Sequence, residues 1–145
     1  MNKRKARMKA IVQFAQMLKQ KNDNPFELAK DFDYIVTYLS DPKKILTART
    51  GKRDNRQLII LNKEIDLKSQ IALCAHELGH IILHNNDGKS PFPYRFMGND
   101  QEKEQEANLF AIAYLLDKES LSELPMDITD MSNYALETLL IKLMK

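Results

Sequence analysis

Histidine stands at three positions in this chain, 76, 80 and 84, each four residues from the next. Four residues advance a helix by roughly 40° around its axis and roughly 6 Å along it, so this interval sets the three imidazoles in a row on one face. The flanking residues predict the same element. Ile71, Ala72, Ala75, Leu78, Ile82 and Leu83 recur at helical spacing from about Asp66 onward, and Asn85-Asn86-Asp87-Gly88 ends the pattern.

Within that helix, His76-Glu77-Leu78-Gly79-His80 is an H-E-x-x-H arrangement. His76 and His80 can converge on one ion, and neutral imidazole suits Zn²⁺, whose catalytic sites use three protein ligands and keep one position open. Glu77, about 100° round the helix from His76, flanks such an ion without ligating it. There it is placed to take a proton from the attacking water and deliver it to the leaving amine. A blander reading makes the three residues ordinary polar positions on an Ile- and Leu-rich helix. Gly79 argues against it: an interior glycine costs a helix about 1 kcal/mol relative to alanine, which makes sense if something approaches the backbone closely between the two histidines.

A third ligand is needed. The H-E-x-x-H-x-x-G-x-x-H continuation is absent, since Leu83 and Asn86 stand where its glycine and third histidine would be. A carboxylate from a second helix, expected over Gln101–Leu116, is the remaining source. Glu102, Glu104 and Glu106 open that helix. Glu104 shares a face with the small residues Ala107 and Ala111 and with Leu115, a face suited to close packing on the histidine helix, and is the first choice. Glu106 points roughly the other way and is second. Glu102 is best explained as an acidic first turn that complements the helix dipole.

Composition limits the alternatives. A chain of 145 residues that is 43% hydrophobic and 29% charged, with 4 glycines and 5 prolines, is expected to fold as one globular domain over residues 1–145. One cysteine, Cys74, excludes an internal disulfide, and a reducing compartment, the cytoplasm, is the expectation. Met1 to Lys21 carries seven Lys/Arg and no Asp/Glu, which leaves the remainder at 15 basic against 20 acidic residues, a net −5. Gln13 and Gln16 interrupt the apolar stretch after this basic start, so neither an export signal nor a membrane span is predicted. Residues 1–22 are expected as a basic amphipathic helix on Met8, Ile11, Val12, Ala15 and Leu18. Without interleaved aromatics or a helix-turn-helix pattern, its charges read as a solvated helix end, not a nucleic-acid surface.

Between these helices the period changes. Asn24 caps a short helix expected over Pro25–Lys30. Residues 34–38, 44–48 and 57–61 read as three short strands, the last two joined by a charged turn over Gly51–Arg56. A loop from Asn85 to about Asp100 has the length of a lid or binding segment. Residues 117–145 are expected to be helical, with Tyr134, Leu136, Leu139, Leu140 and Leu143 available for burial. The fold class is α+β: a small three-stranded sheet packed with the histidine helix and further helices.

His76-Glu77-Leu78-Gly79-His80 with His84, followed by Glu104-Gln105-Glu106-Ala107-Asn108-Leu109-Phe110-Ala111, resembles the ImmA/IrrE family of zinc metallopeptidases found in phages, integrative elements and bacterial stress regulators. The resemblance extends back through Ile45–Asn62. It implies a zincin-like, gluzincin-type domain with one Zn²⁺ held by His76, His80 and Glu104, and with Glu77 catalytic. It also implies a protein substrate, a helix-turn-helix repressor whose cleavage gives derepression. No separate DNA-binding module is evident, so recognition would rest on the catalytic domain itself. The alternative is a zincin-like module that regulates a repressor by association without cutting it.

Four weaker positions remain. His84 either lines the cleft and orients a neighbouring group or simply complements the helix C-terminus as a partial cation. Cys74, about 160° from His76, is a core residue and a poor ligand. Tyr94 and Arg95 are candidates to stabilise an oxyanion, against the plainer reading that loop aromatics pack the loop down.

Overall fold

The computed structural model describes residues 2–145. Asn2 starts helix α1 (Lys3–Lys21) by accepting a hydrogen bond from the Lys5 amide, and the helix buries Met8, Ile11, Ala15 and Leu18, a stripe at three- and four-residue spacing. Helix α2 (Pro25–Asp31) begins where the Asn24-Pro25 pair predicts, with the Asn24 side chain accepting from the Phe26 and Glu27 amides.

Strands β1 (Ile35–Leu39), β2 (Ala48–Arg53) and β3 (Arg56–Asn62) form a mixed sheet in the order β1-β3-β2. β1 runs parallel to β3 and β2 antiparallel to it. The middle strand carries the buried residues Leu58, Ile59, Leu61 and Asn62, while β2 has β3 on one side and a free edge on the other.

The hairpin departs from the sequence reading. The strand expected over residues 44–48 begins only at Ala48 and runs on through Gly51, Lys52 and Arg53, residues whose charge and glycine predict a turn. The turn is reduced to Asp54 and Asn55, both at positive φ (50° and 67°), the backbone that a two-residue hairpin turn needs. Residues 43–46 are held out of the sheet by Asp41, whose carboxylate accepts from the amides of Lys43, Ile45 and Leu46. Ile45 is accordingly 77% exposed.

α3 (Leu67–His84) packs against β2 and β3, and α2 against β1. α3 is capped by Asp66, and α4 (Asp100–Leu115) starts in a capping box between Asn99 and Glu102. Both occupy the positions predicted. α5 (Lys118–Ser122), a single 3-10 turn at Ile128–Asp130 and α6 (Asn133–Leu143) complete the chain. α4 is the central element, packed against α1, α3 and α6 and buried without a break from Glu106 to Tyr114. On α6, Leu136 and Leu140 face inward, whereas Tyr134, two residues before Leu136 and so about 200° away, is exposed and not part of the core. The 85–99 loop is pinned: Phe92 and Phe96 are buried, and the Asn86 side chain bonds both the amide and the carbonyl of Phe96.

Candidate metal centre

The α3–α4 contact decides the geometry of the site. Gly79 makes that contact possible, because a Cβ there would lie 3.2 Å from Ala107 Cα and from Phe110 Cβ. With the helices this close, Glu104 of α4 reaches both predicted histidines of α3. Its Oε2 lies 3.3 Å from His76 Nε2 and its Oε1 3.0 Å from His80 Nε2. The three ligand atoms fall within 4.8 Å of one another. Of the two carboxylates considered as third partner, Glu104 meets His76 and His80, whereas Glu106 meets His84.

The electrostatics favour positive charge between these atoms. Burial works against a charged His76 ring, but the Glu104 carboxylate and the neighbouring Glu77 outweigh it and hold the His76 pKa above its ordinary value. Hydrogen bonding to His76 and His80 holds the half-exposed Glu104 carboxyl far below the usual carboxylate range. Two imidazole nitrogens and a carboxylate around one point are also the donor set of a three-ligand Zn²⁺ site, so the residues present fit such an ion. His76 Nδ1 is buried without a hydrogen-bond partner.

Glu77 borders the same cleft, 8% exposed, and burial raises its pKa above the ordinary glutamate value despite the nearby histidines. This cleft, about 480 Å³, runs between the β2 edge and α3 and is lined by Arg49, Thr50 and Lys52 opposite Glu77 and His80, with Lys103 and Glu104 from α4. A second cavity of about 450 Å³ meets it at Glu104 and is walled by Thr47, His76, Asn108, Leu140 and Ile141. The space beside the histidines therefore has a basic end and a mixed end, where Leu140 and Ile141 meet Thr47, Asn108 and Glu137.

His84 is neither solvated nor a simple terminal cation. Its side chain is 5% exposed, its Nδ1 lies 3.1 Å from His80 Nδ1, and its Nε2 lies 3.0 Å from Glu106 Oε1. Glu106, wholly buried, meets α1: Arg7 Nε donates to Oε2 at 2.8 Å, Arg7 Nη2 to Oε1 at 2.9 Å, and Arg4 Nη1 also to Oε2. Burial alone would raise the Glu106 pKa, but His84, Arg7 and Arg4 bring it down to about 2. The sequence offered no local signal for this cluster, since Arg7 and Glu106 are 99 residues apart.

Cys74 is fully buried, with its thiol pushed up to about 12 by burial and then by the Glu77 charge, as expected of a core residue. Tyr94 and Arg95 line neither cavity beside Glu104. The Tyr94 ring packs on Phe92, and the carbonyls of both residues accept from Arg7, so the loop is packed down and the oxyanion assignment is not supported.

Comparison with known proteins adds two observations. Residues 29–138 match the family described as Peptidase_M78: IrrE N-terminal-like domain. The chain is also 30% identical over 109 residues to an "Uncharacterized immunity region protein 2" of Bacillus phage phi105, an alignment covering 75% of this chain and 68% of that protein. No solved structure matches. Among the described residues no helix is long and apolar enough to cross a membrane.

Proposed function

The chain belongs to the Peptidase_M78, IrrE N-terminal-like family, and from that premise we propose that it is a zinc-dependent endopeptidase acting on a specific protein substrate, a phage-type helix-turn-helix repressor. The observation that carries this reading is the convergence of His76, His80 and Glu104 within 4.8 Å beside a buried Glu77. The two Nε2 atoms and the Glu104 carboxylate would hold the ion. When bound, Zn²⁺ supplies Lewis acidity that polarises a carbonyl and makes a nearby water more acidic.

The remaining work belongs to the protein. Glu77 takes the proton of the attacking water and returns it to the amine that leaves. The free edge of β2, along one wall of the cleft, offers amides and carbonyls on which an extended substrate segment can pair and place its scissile bond beside Glu77. Arg49, Lys52 and Lys103 give one end of that path a positive surface for acidic side chains. The phage relative's name places that protein in an immunity region, and a repressor as substrate is proposed on that ground.

The test compares wild type with Glu77→Gln, each loaded with zinc and incubated with a phage-type repressor whose products are weighed by mass spectrometry. Wild type is expected to cut at a defined bond. The variant should keep its zinc and lose at least about 100-fold in rate, at the low end for a general base. An intact repressor held in a stable complex by the wild type would instead support regulation by association.

A further inference from the structure

The chain of polar contacts behind His80 has a direction. Glu106 offers about four acceptor positions, and four N–H donors are aimed at them: Arg7 Nε and Arg4 Nη1 at Oε2, and Arg7 Nη2 and His84 Nε2 at Oε1. A carboxylate filled in this way accepts only, so His84 Nε2 carries a proton. Arg4 and Arg7 already balance Glu106 and, 3.5 Å from Arg4 Nε, Glu102, so a third cation on a His84 ring 5% exposed and 4.6 Å from the Phe96 ring has no counter-charge of its own. His84 is therefore neutral, its Nδ1 is bare, and the His80 Nδ1 at 3.1 Å must be the donor. With the Nδ1 proton fixed in this way, the proton that His80 Nε2 shares with Glu104 Oε1 at 3.0 Å is the one an ion would displace, and the lone pair so exposed faces that ion.

We propose that Arg4 and Arg7, acting through Glu106 and His84, are positioning residues that lock His80 in the tautomer with its proton on Nδ1 and its Nε2 free to hold the cation. The inference rests on the metal-binding reading above. His76, whose Nδ1 has no partner, lacks such a lock. Arg4 and Arg7 lie on α1, outside the residues 29–138 matched to the family, so this makes the N-terminal helix of this chain part of its metal centre.

Long-range ¹H–¹⁵N correlation spectra of the full-length, zinc-loaded protein read the tautomers directly. The expected pattern is His84 protonated on Nε2 with a bare Nδ1, and His80 protonated on Nδ1. In parallel, zinc affinity is measured by competition with a chromogenic chelator. Arg7→Met and Glu106→Gln are expected to weaken it by about 10–100-fold, the usual range for partners of metal-bound histidines. Arg7→Lys, which keeps the charge beside Glu106 but not the two-pronged contact, is expected to fall between wild type and Arg7→Met. His84 protonated on Nδ1, or a folded Arg7→Met protein of unchanged affinity, overturns the proposal while leaving zinc binding intact. A wild-type protein that takes up no zinc overturns this proposal and the metal reading together. If Glu106→Gln does not fold, the wild-type spectrum and the Arg7 pair still decide.

Discussion

Gly79 shows how one absent side chain shapes the site. Replacing it by alanine gains up to about 1 kcal/mol of helix propensity, but the new Cβ would press on Ala107 Cα and Phe110 Cβ at 3.2 Å, and such overpacking costs about 1–3 kcal/mol. Gly79→Ala should therefore lower stability by about 1 kcal/mol in urea denaturation, and weaken zinc binding as well, because α4 carries Glu104. A more stable variant would mean that α4 yields without cost. The glycine, the two histidines, Glu77 and Glu104 were legible because helical periodicity relates them within α3 or along one face of α4. The role of His84 was not. It depends on Glu106, Arg4 and Arg7, which only the packing of α1 on α4 brings to it.

At the level of elements, local chemistry set most boundaries. Asp66, Asn99 and Ser132 cap α3, α4 and α6, each through a side-chain oxygen bonded to an amide of the first turn. The Ser69 hydrogen bonds hold the Asp66 pKa below its ordinary value. A lowered folded-state pKa stabilises the protein above the unfolded value, and that contribution fades as pH falls below about 4. Asp66→Asn keeps a capping oxygen without the charge. The stability advantage of wild type over this variant should therefore be larger near about pH 7 than near about pH 3, and a difference independent of pH would contradict the assignment. The β2 boundary was not legible for a physical reason. Lys52 and Arg53 sit on an exposed edge strand, where charge is what an unpaired edge calls for, and charge in a sequence reads as turn. Ile45 and Leu46 look like strand, but Asp41 ties their amides into a compact loop.

For the whole molecule, the site is a by-product of burying α4 among three helices, so ion binding and folding should be linked. With zinc about 100-fold above its dissociation constant, linkage adds about 2.7 kcal/mol, which for a chain this size raises the melting temperature by roughly 5–10 °C over that in chelator. His76→Ala should abolish the difference. Equal melting of wild type with zinc and with chelator would mean that no ion stabilises the fold. The small sheet, the helical remainder and the α3–α4 pairing were readable from periodicity, whereas the docking of α1 on α4, which brings Arg4 and Arg7 to Glu106, is a long-range result that no segment encodes alone. The most direct test of the central claim is anomalous diffraction at the zinc edge from crystals of the zinc-loaded protein. One peak at about 2.0–2.2 Å from His76 Nε2, His80 Nε2 and a Glu104 oxygen is predicted; no peak there, or an ion bound elsewhere, would contradict it.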